Sequence, residues 1–380
     1  MKTVSIIGAG PGGLMAAETL AQRGFQVTIY DHKPSPARKF LMAGRGGLNI
    51  THSESLDQFI NRYGEAADIL RPAIENFTPQ NLRDWCHNLG EETFIGTSGR
   101  VFPKSFKASP LLRAWMKRLD ELGVSSVFNF EWTGQDMNSD ITILALGGAS
   151  WPRLGSDGHW TKTLEKQGIT INPFRPANCG FTANWSDIFK NKFAGTPIKP
   201  VTLTHDNHSI QGEIMVTQKG VEGGGIYALS KSIRNAIERD GNTTLALDFK
   251  PNIPQTQIEK ILNTPRARDS FSNYLRKTLG LSPIVIGLLQ EDRNITNLSR
   301  TDLAARIKSY PLPLNGISNI DRAISSAGGI ALDEVDENFR LKKMPNTYAI
   351  GEMLDWEAPT GGYLLQATFS MAVWVGTSIK

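Results

Sequence analysis

Residues 4–31 decide the fold: Val4-Ser5-Ile6-Ile7 runs into Gly8-Ala9-Gly10-Pro11-Gly12-Gly13, then Leu14 to Arg23, Gly24, and a second run from Phe25 to Asp31. The first run is short, apolar and strand-like. Leu14 to Arg23 are good helix formers, and Gly24 stands where a helix commonly ends on glycine. Phe25, Val27 and Ile29 alternate with Gln26, Thr28 and Tyr30, a strand pattern closing at Asp31. GxGxxG between strand and helix, with an acid eighteen positions beyond Gly13, is the dinucleotide fingerprint in its structural setting. Gly8 permits the sharp turn, Gly10 lets a pyrophosphate reach the backbone, and Gly13 lets helix and strand pack closely. With Ala9, Pro11 and Gly12 they form a phosphate loop at a helix N-terminus, where unpaired N–H groups and the helix dipole favour an anion. Asp31, with His32 and Lys33 beside it, is placed to meet a ribose. The fingerprint serves NAD and FAD alike.

Outward from this unit the punctuation stays regular. Thr78-Pro79 reads as N-cap and first residue of a helix carrying Leu82, Trp85, Cys86 and Leu89, stopped at Gly90. Ser109-Pro110 reads the same way ahead of Leu112, Trp115, Leu119 and Leu122, stopped at Gly123. Residues 127–130 are strand-like, and Ile141 to Leu146 is an apolar run of the kind buried in a parallel sheet. From about residue 180, short alternating runs (200–204, 213–217, 243–248) predict an antiparallel β region. Helical patterns follow at 255–262, 270–279, 283–290 and 300–309.

Composition narrows the class. With 380 residues, 40% hydrophobic and 21% charged, the chain can bury a core in two or three domains. Its 36 glycines exceed the usual share of about 7%, without any Gly/Ser linker tract to absorb them. The net charge of +4 does not by itself indicate a nucleic-acid binder. Residues 251–310 hold nine Lys/Arg against five Asp/Glu, a local excess that would suit an anionic substrate or simply face solvent. Two separated cysteines, Cys86 and Cys179, exclude a disulfide scaffold and a cysteine-based zinc site. Neither a signal h-region nor a membrane-length apolar run is evident, so a cytoplasmic protein with no membrane partner is expected.

Two later segments bring FAD forward. Residues 141–150, with Ala145, Gly147 and Gly148, resemble the strand and small-residue return of two-dinucleotide-type flavoproteins. Tyr348-Ala349-Ile350-Gly351-Glu352 resembles the strand and Gly-acid pair that holds a flavin ribityl chain, and Thr360-Gly361-Gly362-Tyr363 opens a last helix aimed at the flavin pyrimidine edge.

Over essentially its whole length the chain resembles the BaiN/YhiN-like FAD-dependent oxidoreductases, which include aminoacetone oxidase, and in detail their shorter branch. The likeness rests on the fingerprint, on residues 38–51 (RKFLMAGRGGLNIT), on 150–158, on 212–224 and on 351–363. It implies an α/β, glutathione-reductase-like FAD-binding Rossmann domain from 1–178 and 323–380. It further implies a β-rich substrate-side domain from 179–250 and 311–322, and a helical lid from 251–310. It adds Arg38, Lys39, Gly44, Gly46 and Asn49 to the cofactor contacts, Arg38 and Lys39 as phosphate-neutralising cations. Two departures stand out. Arg45 replaces a glycine, Gly47 the arginine, Leu48 the cysteine and His52 the last asparagine of the family's RK-x-x-x-SGGGRCN-x-TN pattern; residues 217–224 likewise replace its TH-x-G-x-SGP.

Smaller signals are weighed against their bland readings. His205-x-x-His208 reads as a polar hairpin tip, and no metal is expected. Cys179 is a candidate redox thiol, Trp151 and Trp356 candidate walls of the flavin site, and Trp85 and Trp115 core residues. Lys219, Glu222 and Tyr363 are candidate substrate contacts. No Ser/His/Asp set or carboxylate pair can be placed, so catalytic residues stay unassigned. The expectation is an FAD-dependent oxidoreductase or oxidase passing hydride between a small organic substrate and flavin N5. A nucleic-acid-associated flavoenzyme and a flavin sensor are the alternatives; no nucleic-acid partner is expected, and the oligomeric state stays open.

Overall fold

The computed structural model describes residues 1–266 and 268–380, the side chain of Arg45 excepted. The chain divides into two units, Met1–Pro176 with Ile320–Lys380, and Ala177–Asn319.

The first unit is built on a five-stranded, wholly parallel sheet. Thr3–Ile7 (β1) lies at its centre between Gln26–Asp31 (β2) and Ile141–Leu144, with Ser125–Phe128 and Thr347–Ala349 at the edges. Burial on both faces explains why β1 reads as a continuous apolar run rather than an alternating one. The first helix spans Pro11–Gln22 (α1), three residues earlier than its apolar pattern, because Pro11 suits the first helical position and Gly10 is the cap. Gly24 ends it with φ 84°. The last helix, Tyr363–Ser378 (α2), lies against α1 with small residues at the contact. A Cβ on Gly12 would come 3.1 Å from Thr368 Cγ2, and one on Gly376 2.7 Å from Thr19 Cγ2.

Thr78 caps the helix Pro79–Asn88 as expected, in a reciprocal box with Asn81. The next helix starts at Ala108 after Lys107, so Ser109 lies inside its first turn instead of capping it. Trp85 and Trp115 are buried and meet edge to face at 4.7 Å. The strand expected at 127–130 is Ser125–Phe128, ended where Asn129 turns left-handed at φ 58°. A small antiparallel sheet joins Thr51–His52, Arg100–Pro103 and Thr93–Ile95.

The second unit holds a seven-stranded antiparallel sheet. Its longest pair, Pro197–His205 and His208–Val216, turns at Asp206 and Asn207. Helices occupy Gln255–Leu262, Phe271–Leu279, Pro283–Gln290 and Arg300–Lys308, with Ser270 and Ser299 as side-chain caps. The periodicity of the sequence places all four to within a residue at either end.

Candidate cofactor site

The glycine turn follows from three steric facts. A Cβ on Gly8 (φ 110°) would lie 2.3 Å from the Ala145 carbonyl oxygen, and one on Gly13 would lie 1.9 Å from the Gly8 carbonyl oxygen. Both positions therefore demand glycine, one for neighbouring backbone and one for helix-on-strand packing. At Gly10 the same construction meets nothing within 4 Å, so its surface is open. No side chain caps α1 and no acid stands in its first turn, which leaves its N–H groups available to an anion. Asp31 braces the turn: Oδ2 accepts from the Ala9 amide and Oδ1 from the Lys33 amide, each at 2.7 Å. Each oxygen retains a lone pair for a hydroxyl.

Beside this turn lies an open cavity with about 480 Å³ of atom-free space, lined among others by Gly8, Asp31, His32, Asp157 and Trp160. His32 Nε2 is buried there without a hydrogen-bond partner, 3.6 Å from Asp157 Oδ2, and the Ser156 hydroxyl is buried unpartnered nearby. Polar atoms left in this condition cost free energy unless a ligand meets them.

A second group gathers segments far apart in sequence. Lys39 Nζ donates to Ser150 Oγ at 2.6 Å and to both Glu352 oxygens at 3.0 and 2.7 Å. Glu352 also accepts from the Ser326 amide at 2.9 Å. Lys39, expected from the sequence as a phosphate-neutralising cation, thus pairs with Glu352 in this structure. Arg38 instead reaches Ser35 Oγ at 3.4 Å. Gly351 turns left-handed at φ 79°, and Trp356 Nε1 donates to its carbonyl at 2.9 Å, so Trp356 packs this turn while Trp151 stands in a left-handed bend at φ 64°.

The 38–51 loop explains its own departures. Gly44 is held against Ala108, where a Cβ would come within 2.7 Å, while Gly46 is open. Gly47 has φ 104°, a conformation an arginine would adopt only under strain. Leu48 is fully buried. Asn49 Nδ2 donates to the Thr51 and Val101 carbonyls at 2.8 and 3.0 Å and so pins the loop to the small sheet. Gly147 (φ 72°) accepts from Trp160 Nε1 at 2.9 Å.

At the third locus Gly361 and Gly362 turn left-handed (φ 138° and 93°) into α2, which has no side-chain cap. The Tyr363 hydroxyl donates to Glu54, its carbonyl accepts from Tyr63 at 2.8 Å, and its ring stacks on His52. Arg62 grips Glu54 from Nε at 3.2 Å and Nη2 at 2.8 Å. Burial alone would raise the Glu54 pKa, but hydrogen bonds from Arg62 and then Tyr363 outweigh it, and the carboxyl lies below its usual range. Tyr363 is pushed well above the ordinary phenol value, by burial first and by the Glu54 carboxylate second. Thr51 Oγ1 is fully buried without a partner beside this turn.

Lys219 and Glu222 belong to the second unit and Tyr363 to the first. In the second unit Cys179 is buried with Sγ 3.4 Å from Ser230 Oγ. His205 is buried between Ser232 Oγ (3.0 Å) and Thr243 Oγ1 (2.9 Å), whereas His208 faces solvent, so the pair does not converge. Among the described residues no group of three His, Cys, Asp or Glu is arranged for a metal, and no helix is long and apolar enough to cross a membrane.

Open backbone at Gly10, an uncapped helix end on each side, and unpartnered polar atoms between buried walls fit FAD. Comparison with known proteins agrees. The family model described as HI0933-like protein Rossmann domain matches residues 2–378. The 3-dehydro-bile acid delta(4,6)-reductase of Clostridium scindens is 26% identical, with 96% of each chain covered. Ribosomal RNA dihydrouridine synthases of Escherichia coli and Haemophilus influenzae are each 24% identical, covering 97% and 99% of this chain and 95% and 98% of theirs. In fold, the open form of a flavocytochrome c3 fumarate reductase superposes with a TM-score of 0.53 at 14% identity, over 99% of this chain and 77% of that one. The chain belongs to the HI0933-like family and is an FAD-dependent oxidoreductase.

Proposed function

We propose that the protein saturates a carbon–carbon double bond conjugated to a carbonyl in a small organic substrate. The structural observation behind the flavin part of this reading is the uncapped N-terminus of α2, reached through two left-handed glycines at 361 and 362, while the direction of hydrogen transfer rests on the relatives. A helix end of that kind favours nearby negative charge by about 0.5–2 kcal/mol, which suits a site that holds its cofactor in the electron-rich form. Two relatives support the substrate chemistry. A delta(4,6)-reductase of a 3-dehydro-bile acid and a dihydrouridine synthase are both named for adding hydrogen across such a bond.

Once reduced by an electron carrier other than a nicotinamide, bound FAD would supply the hydride, and solvent the proton, that together saturate the bond. The chain would hold and orient it: Gly10 and the α1 terminus would take the pyrophosphate, Asp31 and His32 the ribose side, and Gly361 and Gly362 would admit the flavin edge. Tyr63 and Trp356 close the apolar side of the α2 turn, meeting at 5.8 Å, and keep water from it.

A ribonucleic acid substrate is the second reading, favoured by the dihydrouridine synthase relatives and the basic stretch 251–310. Three of that stretch's cations are taken by carboxylates: Lys277 by Asp269, Arg306 by Asp292 and Lys308 by Asp248. The small-molecule reading is therefore preferred.

The test is anaerobic photoreduction of the holoenzyme, then mixing with 3-oxo-4-ene steroids, other enones, uridine and ribosomal RNA. Reoxidation by enones with a saturated product supports the proposal. Reoxidation by RNA alone favours the second reading. Bleaching of the oxidised enzyme by amines or alcohols, with no response to enones, overturns both in favour of an oxidase.

A further inference from the structure

The strand and loop Thr51–Glu54 meet the start of α2 more than three hundred residues later, and the meeting is tight. A Cβ on Gly362 would lie 2.5 Å from both the amide nitrogen and the Cα of Thr51. Tyr363 is held at both ends, its carbonyl by Tyr63 and its hydroxyl by Glu54. Glu54 has a side chain only 10% exposed, whereas its partner Arg62 is 52% exposed. His52 Nδ1 accepts from the Glu54 amide at 3.2 Å and lies 3.9 Å from Glu54 Oε1, while Nε2 lies 2.9 Å from the Ser98 carbonyl. Glu54 is thus a buried negative charge and Arg62 an outer positive one, beside a helix end without a side-chain cap.

A tether for Tyr363 needs only a hydrogen-bond acceptor, and an amide would serve. A buried carboxylate there opposes the positive field of the helix end, while the arginine restores it. Charges this close to a low-polarity site change the energy of any charge forming in it.

We propose that Glu54 and Arg62 are positioning residues that set the electron affinity of the bound flavin: Glu54 fixes the α2 end through Tyr363, and the two opposite charges balance the field at that end. The proposal rests on the α2 end facing the flavin.

Sulfite titration of the holoenzyme reads the field directly, since the adduct places negative charge on the flavin, and the FAD dissociation constant is measured alongside. Glu54→Gln keeps an acceptor for Tyr363 and should tighten sulfite binding by about three- to tenfold. Arg62→Gln should weaken it by a similar factor, and Arg62→Lys should restore it. The Glu54→Gln/Arg62→Gln double variant should return near the parent value, with FAD affinity changed by less than about threefold throughout. Shifts of the same sign in both single variants, or no shift, overturn the proposal while leaving the helix-end reading intact. Loss of FAD from every variant means a purely architectural role and also overturns it. Failure of the unmodified protein to form an adduct removes the helix-end reading itself, and the proposal with it.

Discussion

The ammonium of Lys39 lies 2.7 and 3.0 Å from the two carboxylate oxygens of Glu352, joining a helix and a helical turn 313 residues apart. Neither side chain is more than a quarter exposed. Replacing Lys39 with Met would strand a largely buried carboxylate, at a cost of roughly 2–4 kcal/mol. Adding Glu352→Gln should recover part of that loss, and urea denaturation of the four proteins gives the coupling. Additive single effects would show that the pair does not stabilise the fold.

The two glycines of the phosphate turn should fail differently. Gly13→Ala forces a Cβ to within 1.9 Å of the Gly8 carbonyl oxygen, so several kcal/mol of stability should be lost along with the cofactor. Gly10→Leu meets open space and should fold with an unchanged melting temperature in the cofactor-free state, yet purify colourless. Full FAD occupancy in Gly10→Leu, read from the visible absorbance ratio, would put the pyrophosphate elsewhere.

Acid stability should depend on Glu334. It accepts from Lys343 at 2.7 Å and from the Thr170 amide at 2.9 Å, and its pKa falls from 4.5 to about 2, owing chiefly to the Lys343 hydrogen bond and then to Thr170. Because the folded value is the lower one, the stabilisation is full above the unfolded pKa and disappears as pH drops toward the folded one. With Lys343 about half exposed, roughly 2 kcal/mol is at stake. Glu334→Gln should be less stable than the parent at pH 7 and nearly equal to it at pH 2, as melting curves across that range will show.

Reduced nicotinamides should be poor electron donors. The glycine-rich stretch around 220–225 is not a second dinucleotide turn, since Gly220–Glu222 pairs antiparallel with Phe181–Thr182 and with Met215–Val216. Mixing with millimolar NADH or NADPH in a stopped-flow instrument should bleach the flavin only over minutes, and bleaching within seconds would contradict this.

The sequence makes the first unit's frame legible because its signals are local. The fingerprint, its C′ glycine and the alternation up to Asp31 all lie within 31 residues and act through backbone sterics. The same holds for Thr78 as a cap and for the four helices after residue 250. What stayed hidden is non-local. Glu54 sits in no recognisable pattern, and its meaning appears only when Tyr363 arrives from the other end of the chain. The sequence suggests Lys39 and Glu352 only as separate cofactor contacts, because charge pairing at a separation of 313 residues leaves no periodic trace. Ser109 reads as a cap because a Ser-Pro pair looks alike at the cap and two residues further on, inside the first turn.

The packing of α1 against α2 sets an order on synthesis. The strand, turn and helix of residues 3–22 are made well before α2, so the face of α1 that receives Thr368, and the Arg23 side chain that reaches the Gly376 carbonyl, wait about 340 residues for their partners. At about 5–20 residues per second that wait is roughly twenty seconds to more than a minute. Through this interval the face of α1 that α2 will cover stays without its partner. FAD should therefore enter only after α2 has docked on α1, so cofactor uptake follows the meeting of these two helices.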